Sequence, residues 1–410
     1  MTPHEPERPG PVALLAVGCG TAIASVCALG LVQIQRTLSG AWGVAAVVTA
    51  GALCLVLARA FSRLTHVVPS GAGLPAFLSR AFGRRVGLRL ALPYLLLMIA
   101  LAGVETRIVG VLLARALGIP AGCGAAAFLL VAWAVCRHGI RPGYRVQFAA
   151  TAVLMVLLGV LAAMSLLRAP AGALAGAAAP SPAAFLAAVG QAFFLFMGFE
   201  LLTSHVEVAG SSRPIGRALR HTVWILILFY GLLAAGFAVE PARPDRADWL
   251  TPQVGMAEAA GGAPVAAAVI VACLLASYTS FAGALLALSR LVQVLAGQGV
   301  FPRPLARVDP RRLVPARALD ALTLAGALGA VAIDGRAATL AVLGAAAAAT
   351  LVYAGVLWAR ERPPFREDGR SRGAGLAAAA LAVVLLALGA GALWEALPPA
   401  ARILEVVHAR

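Results

Sequence analysis

The chain has 410 residues, of which 61% are hydrophobic and 12% charged, with a mean hydropathy of +0.91. A soluble globular domain carries about 25% charged residues, so this composition describes a polytopic membrane protein and excludes soluble-enzyme readings. All 33 strongly basic residues are Arg, none Lys, and the formal charge is +16. In a membrane protein an Arg excess marks cytoplasmic loops, which leaves a nucleic-acid partner unsupported.

Eleven apolar segments can be counted, at about 12–35, 42–62, 88–117, 122–138, 146–167, 183–206, 221–240, 263–296, 316–334, 337–359 and 374–396. The polar, Pro-rich start, Met1 to Pro11, lacks the basic region and cleavage site of a signal peptide. Arginines crowd alternate loops: Arg59, Arg63, Arg80, Arg84, Arg85 and Arg89, then Arg137, Arg141 and Arg145, then Arg213, Arg217 and Arg220. Arg303 to Arg317 and Arg360 to Arg372 continue the series, while the other loops hold few. The positive-inside rule puts the Arg-rich loops and the N-terminus in the cytoplasm. The expected location is the plasma (inner) membrane, with the lipid bilayer as surroundings. Cys19, Cys27, Cys54, Cys123, Cys136 and Cys273 lie apart with no CxxC pair. They read as small apolar core residues, neither metal ligands nor a disulfide frame.

Segment one contains Gly18-Cys19-Gly20-Thr21-Ala22-Ile23. Two glycines and a threonine weaken a spanning helix, since Gly costs about 1 kcal/mol against Ala. Small residues also permit close helix packing in membranes. Alternatively the turn is unwound, and free N–H groups at the start of an outer half-helix face an anion. After segment two, Val68-Pro69-Ser70-Gly71-Ala72-Gly73 ends the helix, and an amphipathic piece follows. Segment three carries Glu105 and Arg107. Two positions apart means about 200° of rotation, so each needs its own partner or a place along a permeation path.

Segment six holds Phe193-Phe194-Leu195-Phe196-Met197-Gly198-Phe199-Glu200. A carboxylate at bilayer depth costs several kcal/mol unless protein, water or substrate surrounds it. The stretch reads as a broken helix facing a polar cavity, the arrangement transporters use. Glu207 is expected near the inner interface, solvated or Arg-paired, and His205 packed. Segment eight, about 34 residues or about 51 Å as a straight helix, exceeds the roughly 30 Å hydrocarbon core. Its middle has a hydroxyl cluster, Ser277, Tyr278, Thr279 and Ser280, whose members satisfy one another or coordinate a cation or substrate. No Walker motif, metal-ligand spacing or catalytic constellation appears, so no enzyme is expected.

Four stretches together resemble the amino acid–polyamine–organocation (APC) transporter superfamily. Gly18 to Ile23 is similar to its GxGSGI turn, and Pro69-Ser70-Gly71-Ala72-Gly73 with Ala81-Phe82-Gly83 to its P-x-G-G…A-F-G loop. Phe194 to Glu200 with Arg213-Pro214 and Arg217-Ala218 resembles its helix-six pattern, and Ser289-Arg290 with Gly299-Val300-Phe301-Pro302 the end of helix eight. The short length resembles the bacterial subgroup that exports methionine and branched-chain amino acids. The resemblance implies an all-α LeuT-like fold in a single transporter domain, 1–410. It would comprise two inverted five-helix repeats, about 12–167 and 183–359, plus an extra helix at about 374–396, with helices one and six broken.

By position, the resemblance implies that N–H groups of Gly20, Thr21 and Ala22, beside Gly18, hold a substrate carboxylate. The Ile23 carbonyl and carbonyls around Phe194, Leu195 and Met197, next to Gly198, would accept from its ammonium. Phe196 and Phe199 would wall the pocket, with Glu200 beside them. Glu105, Arg107, Ser277, Thr279 and Ser280 are candidates for the coupling or permeation path. No cofactor is implied; H+ or Na+ are the candidate coupling ions. A helix-five lysine found in several relatives falls here at Leu154 or Met155, which leaves passive exchange, or a proton carried by Glu105 or Glu200. The function implied is alternating-access transport, as permease, antiporter or exporter, of a neutral, apolar amino acid. The alternatives are transport of cationic amino acids or polyamines, and a non-transporting sensor or partner subunit. Gly20→Leu should then abolish binding and leave expression intact.

Overall fold

A computed structural model describes residues 9–175, 178–239, 251–332 and 349–365. In chain order come α1 (Pro11–Ala22), α2 (Ser25–Thr37), α3 (Ala41–Val67), α4 (Leu74–Phe82), α5 (Arg84–Leu117), α6 (Ala121–Arg137) and α7 (Ile140–Arg168). Next are α8 (Pro182–Leu195), a 3-10 helix (Phe199–His205), α9 (Val206–Ala209), α10 (Ser212–Val239), α11 (Pro252–Gly297) and α12 (Ala316–Ala332). A further helix covers 349–360. Six spans are long and apolar enough to cross a membrane, and the bent pair α1–α2 makes up to seven. There are no strands among the described residues.

Polarity is distributed inside out relative to a soluble protein. Leu167, Leu228 and Val331 are 86%, 71% and 86% exposed, whereas Thr21, Ser25, Glu105, Gln147, Glu200 and His205 are buried. Lipid solvates the outer apolar side chains, and the interior polar groups must find partners within the protein.

Several segments differ from their sequence-based limits. Segment one splits into α1 and α2, bent by 59°, and segment six splits after Leu195. Segment seven starts at Ser212, so Arg213, Arg217 and Arg220 lie in the first turns of α10 rather than in a loop. Segment eight reaches back to Pro252 across a kink at Gly261 and Gly262. Gly262 has φ +71° and ψ −167°, a region essentially restricted to glycine. Only the end of segment ten, and none of segment eleven, lies within the described residues.

The amphipathic piece is α4, which buries Leu74, Pro75, Phe77 and Leu78. Close to it, Glu207 accepts from the Gly71 N–H at 2.8 Å and pairs with Arg290 of α11 at 3.6 Å. His205 is packed as expected, fully buried against the Tyr144 hydroxyl at 2.7 Å. These contacts tie α4's loop, α7, α9 and α11 together on the Arg-rich side.

Candidate functional site

The two broken spans meet in the interior. α1 stays helical through Ala22, and the extended residues are Ile23 and Ala24. The first break therefore falls at the C-terminal end of the Gly18–Ile23 stretch that the sequence suggested, and Gly18, Gly20, Thr21 and Ala22 precede it within α1. The glycines at 18 and 20 also permit close packing. A Cβ at Gly18 would meet Thr222, and one at Gly20 would meet Gln147, Thr151 and Thr279. Gly20→Leu would thus disturb the packing of α1 on α7 and α11, not merely a ligand contact. The second break turns at Gly198, with φ +110°. A Cβ there would collide with the Thr21 carbonyl oxygen, so glycine meets both a conformational and a steric requirement.

Side chains bridge the breaks. The Thr21 hydroxyl lies 3.0 Å from the Gly198 carbonyl oxygen, and also near those of Val17 and Gly18. The carbonyls that end α1 are met from other helices. Tyr230 of α10 donates to Ala22 at 2.9 Å, and Ser280 of α11 donates to Thr21 at 3.3 Å.

The N-terminus of α2 carries the positive end of a helix dipole. Its first N–H, Ser25, donates to Glu105 Oε1 at 2.9 Å. Ser277 donates to the same oxygen at 2.6 Å, and the Ser25 hydroxyl reaches the Cys273 carbonyl and Ser277, both at 2.7 Å. Glu105 and Ser277 thus come together at the start of α2, with Ser25 as a third member. Arg107 lies on another face of α5, half-buried. A protein carboxylate therefore occupies the position where a helix end would meet an anion.

Glu200 has a different setting. It accepts from the Tyr94 hydroxyl at 2.6 Å and from the Gly198 N–H at 2.9 Å, and so holds the second break in shape. Phe196 packs edge-on to Tyr230 at 5.5 Å, and Phe199 edge-on to Phe61 at 5.9 Å. Both rings are fully buried, while Phe194 and Met197 are half-buried. The Leu195 carbonyl faces the Cys27 thiol. Thr279 bonds its own helix, at Ala276.

On α7, Gln147 and Thr151, one turn apart, hydrogen-bond to α11 and α1. Gln147 donates to the Thr279 carbonyl at 2.9 Å, and Thr151 to the Ala16 carbonyl at 3.2 Å. Leu154 is a fully buried apolar residue further along. Sequence reasoning passed over Ser25, Tyr94, Gln147, Thr151 and Tyr230. The available signal for Gln147 and Thr151 was two polar side chains at i and i+4 in an apolar helix.

Cavities flank the breaks. One of about 100 Å³ is lined by α2, α7, α10 and α11, including Ala28, Leu158, Phe237, Gln253 and Cys273. A smaller one of about 20 Å³, on the Arg-rich side, is lined by Tyr94, Glu200, Ser204 and Leu288. Cys273 and Leu288 are 15 residues apart on α11, or about 22 Å at 1.5 Å per residue. The intervening Ser277–Gly283 stretch is where α11 meets α1, so the two cavities sit on opposite sides of a closed contact.

This architecture is that of a membrane transporter with a LeuT-like fold. Solved structures similar to it include the following three. A Na+-coupled sialic acid symporter matches with a TM-score of 0.61 and 13% identity, covering 95% of this chain and 90% of that one. A manganese transporter of Eremococcus coleocola matches with 0.63 and 14%, covering 94% and 86%. A nucleobase-cation-symport-1 family transporter in a closed conformation matches with 0.60 and 17%, covering 98% and 94%. No curated protein sequence matches. The sequence pattern of the amino acid permease family matches residues 14–397, and the chain belongs to that family. Family and fold are those of membrane transporters, not enzymes.

Proposed function

We propose that this secondary transporter moves an amino acid across the inner membrane by alternating access, with its N-terminus and Arg-rich loops in the cytoplasm. The carrying observation is the meeting of two interrupted helices, joined through Thr21 and Gly198, between two cavities separated along α11. Such half-helix ends offer N–H donors and carbonyl acceptors to a zwitterion. The apolar surroundings, with Phe194, Leu195, Met197 and the aliphatic lining of the larger cavity, favour a neutral, apolar side chain. Gln147 and Thr151 do not titrate near neutral pH, so a coupling proton would be carried by Glu105 or Glu200.

A second reading has its own support. Glu105 already sits on the Ser25 N–H, where a substrate carboxylate would compete with it. A cationic amine would instead meet a resident carboxylate. Proteoliposome uptake of labelled Met, Leu and Arg, each beside its decarboxylated amine, separates the two. The first reading expects Met and Leu to move and the amines to fail. Faster movement of the amines than of the amino acids supports the second, and no movement of any of them rejects both.

Orientation has an internal probe. Cys123, at the start of α6 away from the Arg-rich side, is exposed, and the other five cysteines are buried. A membrane-impermeant maleimide should label intact cells, and Cys123→Ser should remove the label. Labelling only after permeabilisation would invert the topology.

A further inference from the structure

Between the end of α3 and the start of α10 lies a cavity of about 420 Å³, lined by none of the residues of the two helix breaks. Its polar lining is Ser62 and His66 from α3 with Ser212, Arg213, Arg217 and Arg220 from α10. The helices approach closely here because residue 216 is glycine, and a Cβ there would sit on the Ser62 hydroxyl. Two cross-links set the walls. Arg220 donates to Ser62 at 3.3 Å, and His66 Nδ1 shares a hydrogen bond with Ser212 at 3.0 Å. Among the described residues no carboxylate pairs with Arg213, Arg217 or Arg220, and none lines the cavity. Three guanidinium groups therefore converge without an anion, although each presents the planar donor fork suited to phosphate oxygens.

The position along α10 identifies the source of that phosphate. Arg213, Arg217, Arg220, Trp224 and Leu228 recur every three or four residues and so share one face. Trp224 is 54% exposed and Leu228 71%. On a membrane-spanning helix such a stripe faces lipid, and tryptophan marks the level of the membrane–water interface. The arginines begin about 6 Å beyond it, one helical turn toward the Arg-rich side, at headgroup depth. We propose that this pocket binds the phosphate headgroup of an anionic phospholipid in the leaflet on that side. Basic pockets between spanning helices are suited to such headgroups. Occupancy would fasten α3 to α10, the two helices against which Phe196 packs through Gly51, Ile227 and Tyr230.

The full-length protein, in nanodiscs of phosphatidylcholine alone or mixed with phosphatidylglycerol, provides the test. Bound lipid is counted by native mass spectrometry, and the melting temperature is followed alongside. Phosphatidylglycerol should be retained and should raise the melting temperature; inorganic phosphate added to phosphatidylcholine discs should do neither. Arg213→Gln combined with Arg217→Gln should weaken retention about thirtyfold, the fold-change of about 1 kcal/mol per arginine near an anionic surface. Arg85→Gln, on the same side but outside the pocket, should leave it unchanged. If the double variant is not recovered folded, Arg217→Gln alone should give about a fivefold loss. Wild-type retention in the pocket variants overturns the proposal. An equal effect of inorganic phosphate also overturns it, by assigning the pocket to a soluble anion.

Discussion

Glu105 shows how a single buried carboxylate can hold a membrane interior together. It accepts from a backbone N–H of one helix and a hydroxyl of another, and so satisfies groups that have no water available. Removing the acceptor strands both donors, at about 1–3 kcal/mol. Glu105→Ala should therefore lower the melting temperature in detergent, whereas Glu105→Gln, which keeps an acceptor oxygen, should melt close to wild type. Transport then divides structure from function. If the charge serves the substrate, Glu105→Gln should slow transport by about tenfold or more, since a bond to a charged group contributes about 1.5–3 kcal/mol. Unchanged transport of every substrate would leave Glu105 a structural role only.

The broken span α8 depends on a turn that its own sequence supplies. Gly198 takes a positive φ against the Thr21 carbonyl, and Glu200, two residues on, receives the Gly198 N–H. The Phe196 and Phe199 rings hold the flanks. Gly198→Ala should cost about 1–3 kcal/mol from backbone strain alone, and the collision with α1 adds to that. The expected outcome is a lower melting temperature together with lost transport. A variant that melts and transports like wild type would show that the turn relaxes without consequence.

Across the whole molecule, closure at the centre rests on α1 lying against α11. Alternating access requires one group of helices to rock against another around a fixed site. A Cβ built on Gly283 comes 3.4 Å from the Thr21 Cβ, close to the separation a disulfide spans. Thr21→Cys with Gly283→Cys should therefore form a disulfide under oxidising conditions and stop transport, and reductant should restore it. Each single variant, assayed alone, controls for the loss of the Thr21 hydroxyl and of Gly283. Full transport with the disulfide demonstrably formed would mean that α1 and α11 move as one body.

Hydropathy alone determined the membrane class, the course of most spans and the Arg-rich side, because burial in lipid and charge at the interface are properties of local composition. It also located the second break, where a glycine and a carboxylate interrupt an apolar run, and four short motifs carried the family. The first break was legible as a region, and its exact place was not. Gly18 and Gly20 weaken a helix and equally allow close packing, and only the neighbours Thr222, Gln147, Thr151 and Thr279 show that both are tightly packed while the bend falls at Ile23 and Ala24. Nor could the chain's order show that Glu105 would reach Ser25, 80 positions away, or that Arg213, Arg217 and Arg220 would face Ser62 and His66 across a cavity. Those pairings belong to the packing of helices distant in sequence, and tertiary structure decides them because each polar group inside a membrane protein must find its partner wherever the fold puts one.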